Sequence, residues 1–148
     1  MDLPLAEPAD GVPRDTELAG LHVLGCIPRE ASARSAGEIL RRGGAELTVR
    51  EDAAGVRAAL QRADAARLRY DAIIVDLGIG AYETRAVLAE LAGAGYEASL
   101  VLAMIAPGYG AEYEAVSEHG LGGFLRKPLK TTRVRTLISA TASGKASL

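Results

Sequence analysis

Asp76 and Lys127 are the residues of this 148-residue chain best placed for chemistry, because each stands at the exit of a short apolar run. YDAIIVD ends in Asp76, and GGFLR leads into Lys127. A carboxylate at such an exit is either a helix N-cap or an oxygen donor held at the rim of a core, and a nearby ammonium would bind the same anions or the carboxylate itself. The residues around the lysine extend this basic character. RKPLKTTRVR carries Arg126, Lys127, Lys130, Arg133 and Arg135, flanked by Phe124 and interrupted by Pro128. Guanidinium groups beside an aromatic ring suit a nucleotide, gripping phosphate in a fork and stacking on a base. The same cations suit docking against an acidic helix such as the one carrying Glu112, Glu114 and Glu118, or a solvated charged face.

Other chemistries lack the residues they need. Cys26 is the single cysteine, which excludes an internal disulfide and a thiolate zinc site. His22 lies in a strand pattern and reads as structural, like Cys26; His119 stands at a helix end, where its charge suits the helix dipole. Two such histidines assemble neither a Ser-His-Asp relay nor a His metal site, and Gly78-Ile79-Gly80 is too short to cradle a phosphate.

Positioning these side chains requires a sheet. From Leu21 onward, short apolar runs alternate with longer Ala-rich segments of helical period, the pattern of βα units on a parallel sheet. Strands are expected at 21–26, 46–50, 72–76, 99–105 and 122–125, and helices at 31–42, 53–65, 83–92, 109–118 and 132–141. The runs AIIVD and SLVLAMI are apolar throughout, so they form the centre of a sheet covered on both faces. The fold class is therefore α/β, a doubly wound five-stranded parallel sheet with five helices. In such a sheet ligands sit beyond the strands' carboxyl ends, where Asp76 and Lys127 share one crevice.

Composition bounds the rest. A content of 49% hydrophobic and 24% charged residues is globular, and a net charge of −2 argues against general nucleic-acid or anionic-membrane binding. With 28 alanines, no Trp and one Phe, the core must be built from small and branched aliphatic side chains. Residues 1–20 contain three of the six prolines and read as a linker, 21–141 as the domain, and 142–148 as a small polar tail. Neither a membrane span nor a signal peptide is legible, so the segment is expected to be cytoplasmic and without membrane contact.

The order of these motifs has a counterpart. YDAIIVD, HGLGGFLRKPL and five ordered βα units strongly resemble the receiver domain of bacterial response regulators and hybrid histidine kinases, over roughly residues 21–138. The resemblance implies Asp76 as phosphoacceptor equivalent, Lys127 as the lysine that contacts the phosphoryl group, and Ile105 and Phe124 as the switch positions. LPLAEP, near the N-terminus, is similar to the exit of a histidine-kinase ATP-binding domain, which implies a parent hybrid sensor kinase. Receivers hold Mg²⁺ with two acids after the first strand, and here those positions are Ile27 and Pro28. The Thr or Ser that follows the fourth strand is Ile105, and DLGIGAYE replaces the usual Met-Pro loop after the acceptor. Mg²⁺ needs several oxygen ligands and phosphoryl transfer needs positioned cations, so three losses at one site imply a pseudo-receiver.

The expected function is accordingly a signalling domain of a two-component phosphorelay, not itself an enzyme, that regulates a histidine kinase by docking. Its partners would be kinase domains or a second receiver, including a homodimer through the last two helices. No resident cofactor is expected and no Mg²⁺ site is implied. Some degenerate receivers are controlled by cyclic di-GMP, and the spacing of Phe124, Arg126, Pro128, Lys130, Arg133 and Arg135 looks similar to theirs. The alternative is a phosphorylatable receiver that accepts a phosphoryl group at Asp76 from a kinase histidine. A flavodoxin-like cofactor binder shares the fold but would need a phosphate-cradling loop.

Overall fold

The computed structural model describes residues 18–106 and 120–147, with side chains to residue 142. Five parallel strands, β1 (His22–Cys26), β2 (Glu46–Arg50), β3 (Ala72–Asp76), β4 (Val101–Ile105) and β5 (Gly123–Arg126), form one sheet in the order β2-β1-β3-β4-β5. Helices α1 (Glu30–Arg42), α2 (Ala53–Ala65), α3 (Ala81–Gly93) and α4 (Thr131–Ser147) cover it. The strand order reverses beside β1 and β3, so the crevice opens at their carboxyl ends. The helix expected at 109–118 lies outside the described residues, as do Glu112, Glu114, Glu118 and His119.

Every residue of β3 and β4 is buried, and their side chains alternate between two apolar layers. Leu24, Cys26, Ile73, Val75, Ala103 and Ile105 face the layer built with Val56 and Leu60 of α2 and Val87 and Leu91 of α3. Val23, Ile74, Leu102, Met104 and Leu125 face the other, with Ile39 and Leu40 of α1 and Val134 and Ile138 of α4. Two-sided burial is why these strands read as continuous apolar runs. Alanines at 36, 53, 59 and 63 are buried on the helices, where a small side chain lets a helix lie close to the sheet.

Several boundaries differ from the sequence expectation, β1, α1 and α3 by one or two residues and others for a local reason. Residues Ala98–Leu100 wind into a 3-10 turn before β4, so that strand begins at Val101. Gly122 falls outside β5: the Ser99 carbonyl lies where a side chain would sit, and its N–H donates to the Val101 carbonyl at 2.8 Å. α4 continues past Thr141 to Ser147, because the small residues there include good helix formers and no proline. Packing also starts earlier than Leu21. Leu18 is fully buried against Gly43 and donates its N–H to the Gly43 carbonyl at 2.7 Å.

Candidate functional site

At the carboxyl edge of the sheet, the end of β3 brings Asp76 to the base of the crevice, where its side chain is 1% exposed. The chain then turns through a 3-10 segment, Leu77–Ile79, and the Gly78 N–H donates to Asp76 Oδ1 at 2.9 Å. Gly80, at φ 95°, takes a left-handed conformation that starts α3 and completes this turn. From the end of β5, Lys127 reaches across with Nζ donating to Asp76 Oδ2 at 2.9 Å. Its own backbone N–H donates to the Ile105 carbonyl at 2.8 Å, which fixes the root of the side chain over β4. Both Asp76 oxygens are therefore engaged, one by backbone and one by a cation 20% exposed.

The structure places the residues at positions 27, 28 and 105 as follows. Ile27 continues the line of β1, donates its N–H to the Arg50 carbonyl at 2.8 Å, and buries its side chain in the α1/α4 layer. Pro28 is exposed. Ile105 points into the α2/α3 layer with Val75 and Leu77. Magnesium needs a set of hard oxygen ligands, and neither Ile27 nor Pro28 has a side-chain oxygen to add to the occupied carboxylate of Asp76. The residues at this site do not fit the ion.

Two acids that the sequence reading did not single out also lie on this edge. Asp52 caps α2 by accepting from the Gly55 N–H at 2.8 Å, and Glu83 of α3 accepts from the Ala53 N–H at 2.7 Å. An acid directly before an Ala-rich helix is a readable N-cap signal, whereas the reach of Glu83 depends on the packing of α2 against α3. With Asp76 they act on Cys26 through their charge. Burial first, and then the carboxylates of Asp52, Glu83 and Asp76, push its thiol from about 9 up to about 12. Such a thiol stays protonated and is no nucleophile. Among the described residues no three His, Cys, Asp or Glu side chains are grouped to hold a metal.

The basic stretch divides in two. Phe124, Arg126, Lys127, Pro128, Lys130 and Arg133 line a cavity of about 280 Å³ between β5 and the start of α4. Phe124 is half buried, while Arg126, Lys130 and Arg133 are exposed. Arg135, expected on the same surface, is instead 4% exposed on the packed side of α4, and its Nε has no hydrogen-bond partner. The reason is helical geometry: Arg135 follows the core residue Val134 and stands three before Ile138, which turns it inward. His22 donates its backbone N–H to Asp71 Oδ2 at 2.8 Å, and its Nδ1 lies 3.4 Å from Glu46 Oε1. A larger cavity of about 510 Å³ between α2 and α3 is remote from this edge. Among the charges along it, Arg57 pairs with Glu90 at 3.1 Å and Arg69 stacks on Tyr96 at 4.0 Å.

No protein-family profile matches the sequence, and no curated protein does. Solved structures do match. The receiver domain of the sensor histidine kinase PA1611 from Pseudomonas aeruginosa PAO1, with magnesium coordinated in its active-site cleft, superposes with a TM-score of 0.70 at 19% identity, over 84% of this chain and 99% of that one. Full-length FixJ from B. japonicum gives 0.67 at 19%, over 87% of this chain, which spans 62% of its length. The Rec1 domain of ShkA, solved in complex with c-di-GMP, gives 0.57 at 16%, over 83% of this chain and 93% of that one. Sheet order, crevice and superposition agree: the chain has the fold of a response-regulator receiver domain.

Proposed function

We propose that this receiver fold serves as a pseudo-receiver, a regulatory domain of a two-component phosphorelay in which the Asp76–Lys127 pair replaces the phosphorylation switch. The supporting observation is that both Asp76 oxygens are engaged while the neighbouring positions 27 and 28 carry no oxygen ligand. An acceptor carboxylate must present a free oxygen to phosphorus, with cations neutralising the charge that develops on the phosphoryl group. Here the lysine neutralises the aspartate instead. The domain then acts by docking, presenting Arg126, Lys130 and Arg133 to the histidine-kinase domains of a hybrid parent or to a second receiver. Incubation with acetyl phosphate and Mg²⁺, followed by intact mass spectrometry, is expected to leave the mass unchanged. A phosphoryl adduct at Asp76 would establish the phosphorylatable reading in its place.

A second reading concerns the ligand. The cavity between β5 and α4 combines one aromatic ring with several cations, and the Rec1 domain of ShkA binds c-di-GMP on the same fold. Guanidinium groups of Arg126 and Arg133 would hold the phosphates, and Phe124 and Pro128 would face a base. Burial removes Arg135 from this set. Calorimetry with cyclic di-GMP is expected to give heat that Arg126→Ala and Arg133→Ala each reduce; no heat at high micromolar ligand excludes the reading.

A further inference from the structure

Among the described residues, no strand pairs with the outer edge of β2. Glu46 donates its N–H to the Leu21 carbonyl and Arg50 accepts from the Ile27 N–H, so Glu46, Thr48 and Arg50 turn their backbone groups toward β1. Leu47 and Val49, alternating with them, turn theirs to the open side. Among the described residues, the Leu47 N–H and carbonyl and the Val49 N–H have no partner, and the Val49 carbonyl accepts only from the Arg50 side chain at 2.7 Å. Edges of this kind are usually blunted by proline, lysine or other charges, a bulge or short length; β2 pairs in unbroken register without proline, lysine or bulge, and its only charges are Glu46 and Arg50 at its two ends. Small residues flank it on both faces, Ala33 and Gly37 of α1 on one and Ala59 of α2 with Ala66 on the other. They leave open grooves of about 460 and about 300 Å³ along the strand.

We infer that β2 pairs with β2 of a second copy of this chain, antiparallel and centred on Thr48, to form one continuous ten-stranded sheet across a two-fold axis. The argument for a second copy is that ELTVR is complementary to its own reverse. In this register Leu47 lies opposite Val49 of the partner subunit, and the two exchange both hydrogen bonds. All four outward backbone groups of each strand are thereby satisfied. Glu46 meets the partner's Arg50 on the α2 face, twice by symmetry, and the apolar Leu47 and Val49 meet their counterparts on the α1 face. Arg50 exchanges its hydrogen bond to the Val49 carbonyl for an ion pair with the partner's Glu46.

Sedimentation equilibrium of the full chain tests this directly. The expectation is a monomer–dimer equilibrium that Glu46→Arg and Arg50→Glu each weaken about tenfold or more, since each reversal sets like charges opposite at two positions. The double reversal, Glu46→Arg with Arg50→Glu, restores pairing to near the original strength, which a general loss of folding would not do. A chain that stays monomeric at about 1 mM overturns the inference. So does a dimer indifferent to these reversals but broken by Arg133→Glu, which would place the contact on α4.

Discussion

At the scale of single residues, the crevice is a place where water has been excluded from groups that usually require it. Asp76 is as buried as the surrounding valines and isoleucines, and Lys127 and the Gly78 amide meet its two oxygens. Cys26, beside it, has no such cation. Its raised thiol pKa makes stability depend on pH in a definite direction. The unfolded chain loses the thiol proton near pH 9 and the folded chain retains it to about 12, so the unfolded state is favoured progressively between those values. Stability contributed by this group is complete below pH 9 and falls above it by about 1.4 kcal/mol per pH unit. Chemical denaturation of the protein and of Cys26→Ala from pH 8 to pH 10.5 is expected to show a steeper decline in the native chain; parallel declines would contradict the shift.

At the scale of elements, the pair acts as a fastener. Asp76 ends β3 and Lys127 follows β5, so one hydrogen bond spans β4 and ties the exit of an edge strand to the centre of the sheet. Lys127→Ala leaves the buried carboxylate uncompensated, and a loss of about 3 kcal/mol in stability is expected. Asp76→Asn removes the charge but keeps the shape and is expected to cost less. If Lys127→Ala unfolds at the same denaturant concentration as the native chain, the pair fastens nothing. Much of this arrangement was legible beforehand. β2, α2 and β3 fall where hydrophobic period placed them, and strand-exit positions brought Asp76 and Lys127 together. Less legible features depend on packing between elements. The inward turn of Arg135 follows from which side of α4 meets the sheet, the capping of α2 by Glu83 from the contact between α2 and α3, and the late start of β4 from a turn lacking any proline or glycine signal.

At the scale of the whole molecule, the chain has the fold of a receiver, but the centre where a receiver would change state is internally satisfied. Ile27 and Ile105 extend the two apolar layers up to Asp76, one from each face of the sheet. The near-neutral net charge conceals a division of labour between the closed anionic centre and the exposed cations on β5 and α4. On the proposed reading, a domain built this way holds one conformation in the absence of metal and phosphate. The same reading brings regulation in through the surfaces, by docking or by a ligand at the basic cavity. No helix among the described residues is long and apolar enough to cross a membrane. The most direct test of the closed centre is amide NMR of the chain with Mg²⁺ and beryllofluoride, a mimic of the phosphoryl group. The account predicts spectra that superimpose before and after addition. Large shifts at Asp76, Lys127 and the residues of β4 and β5 would contradict it.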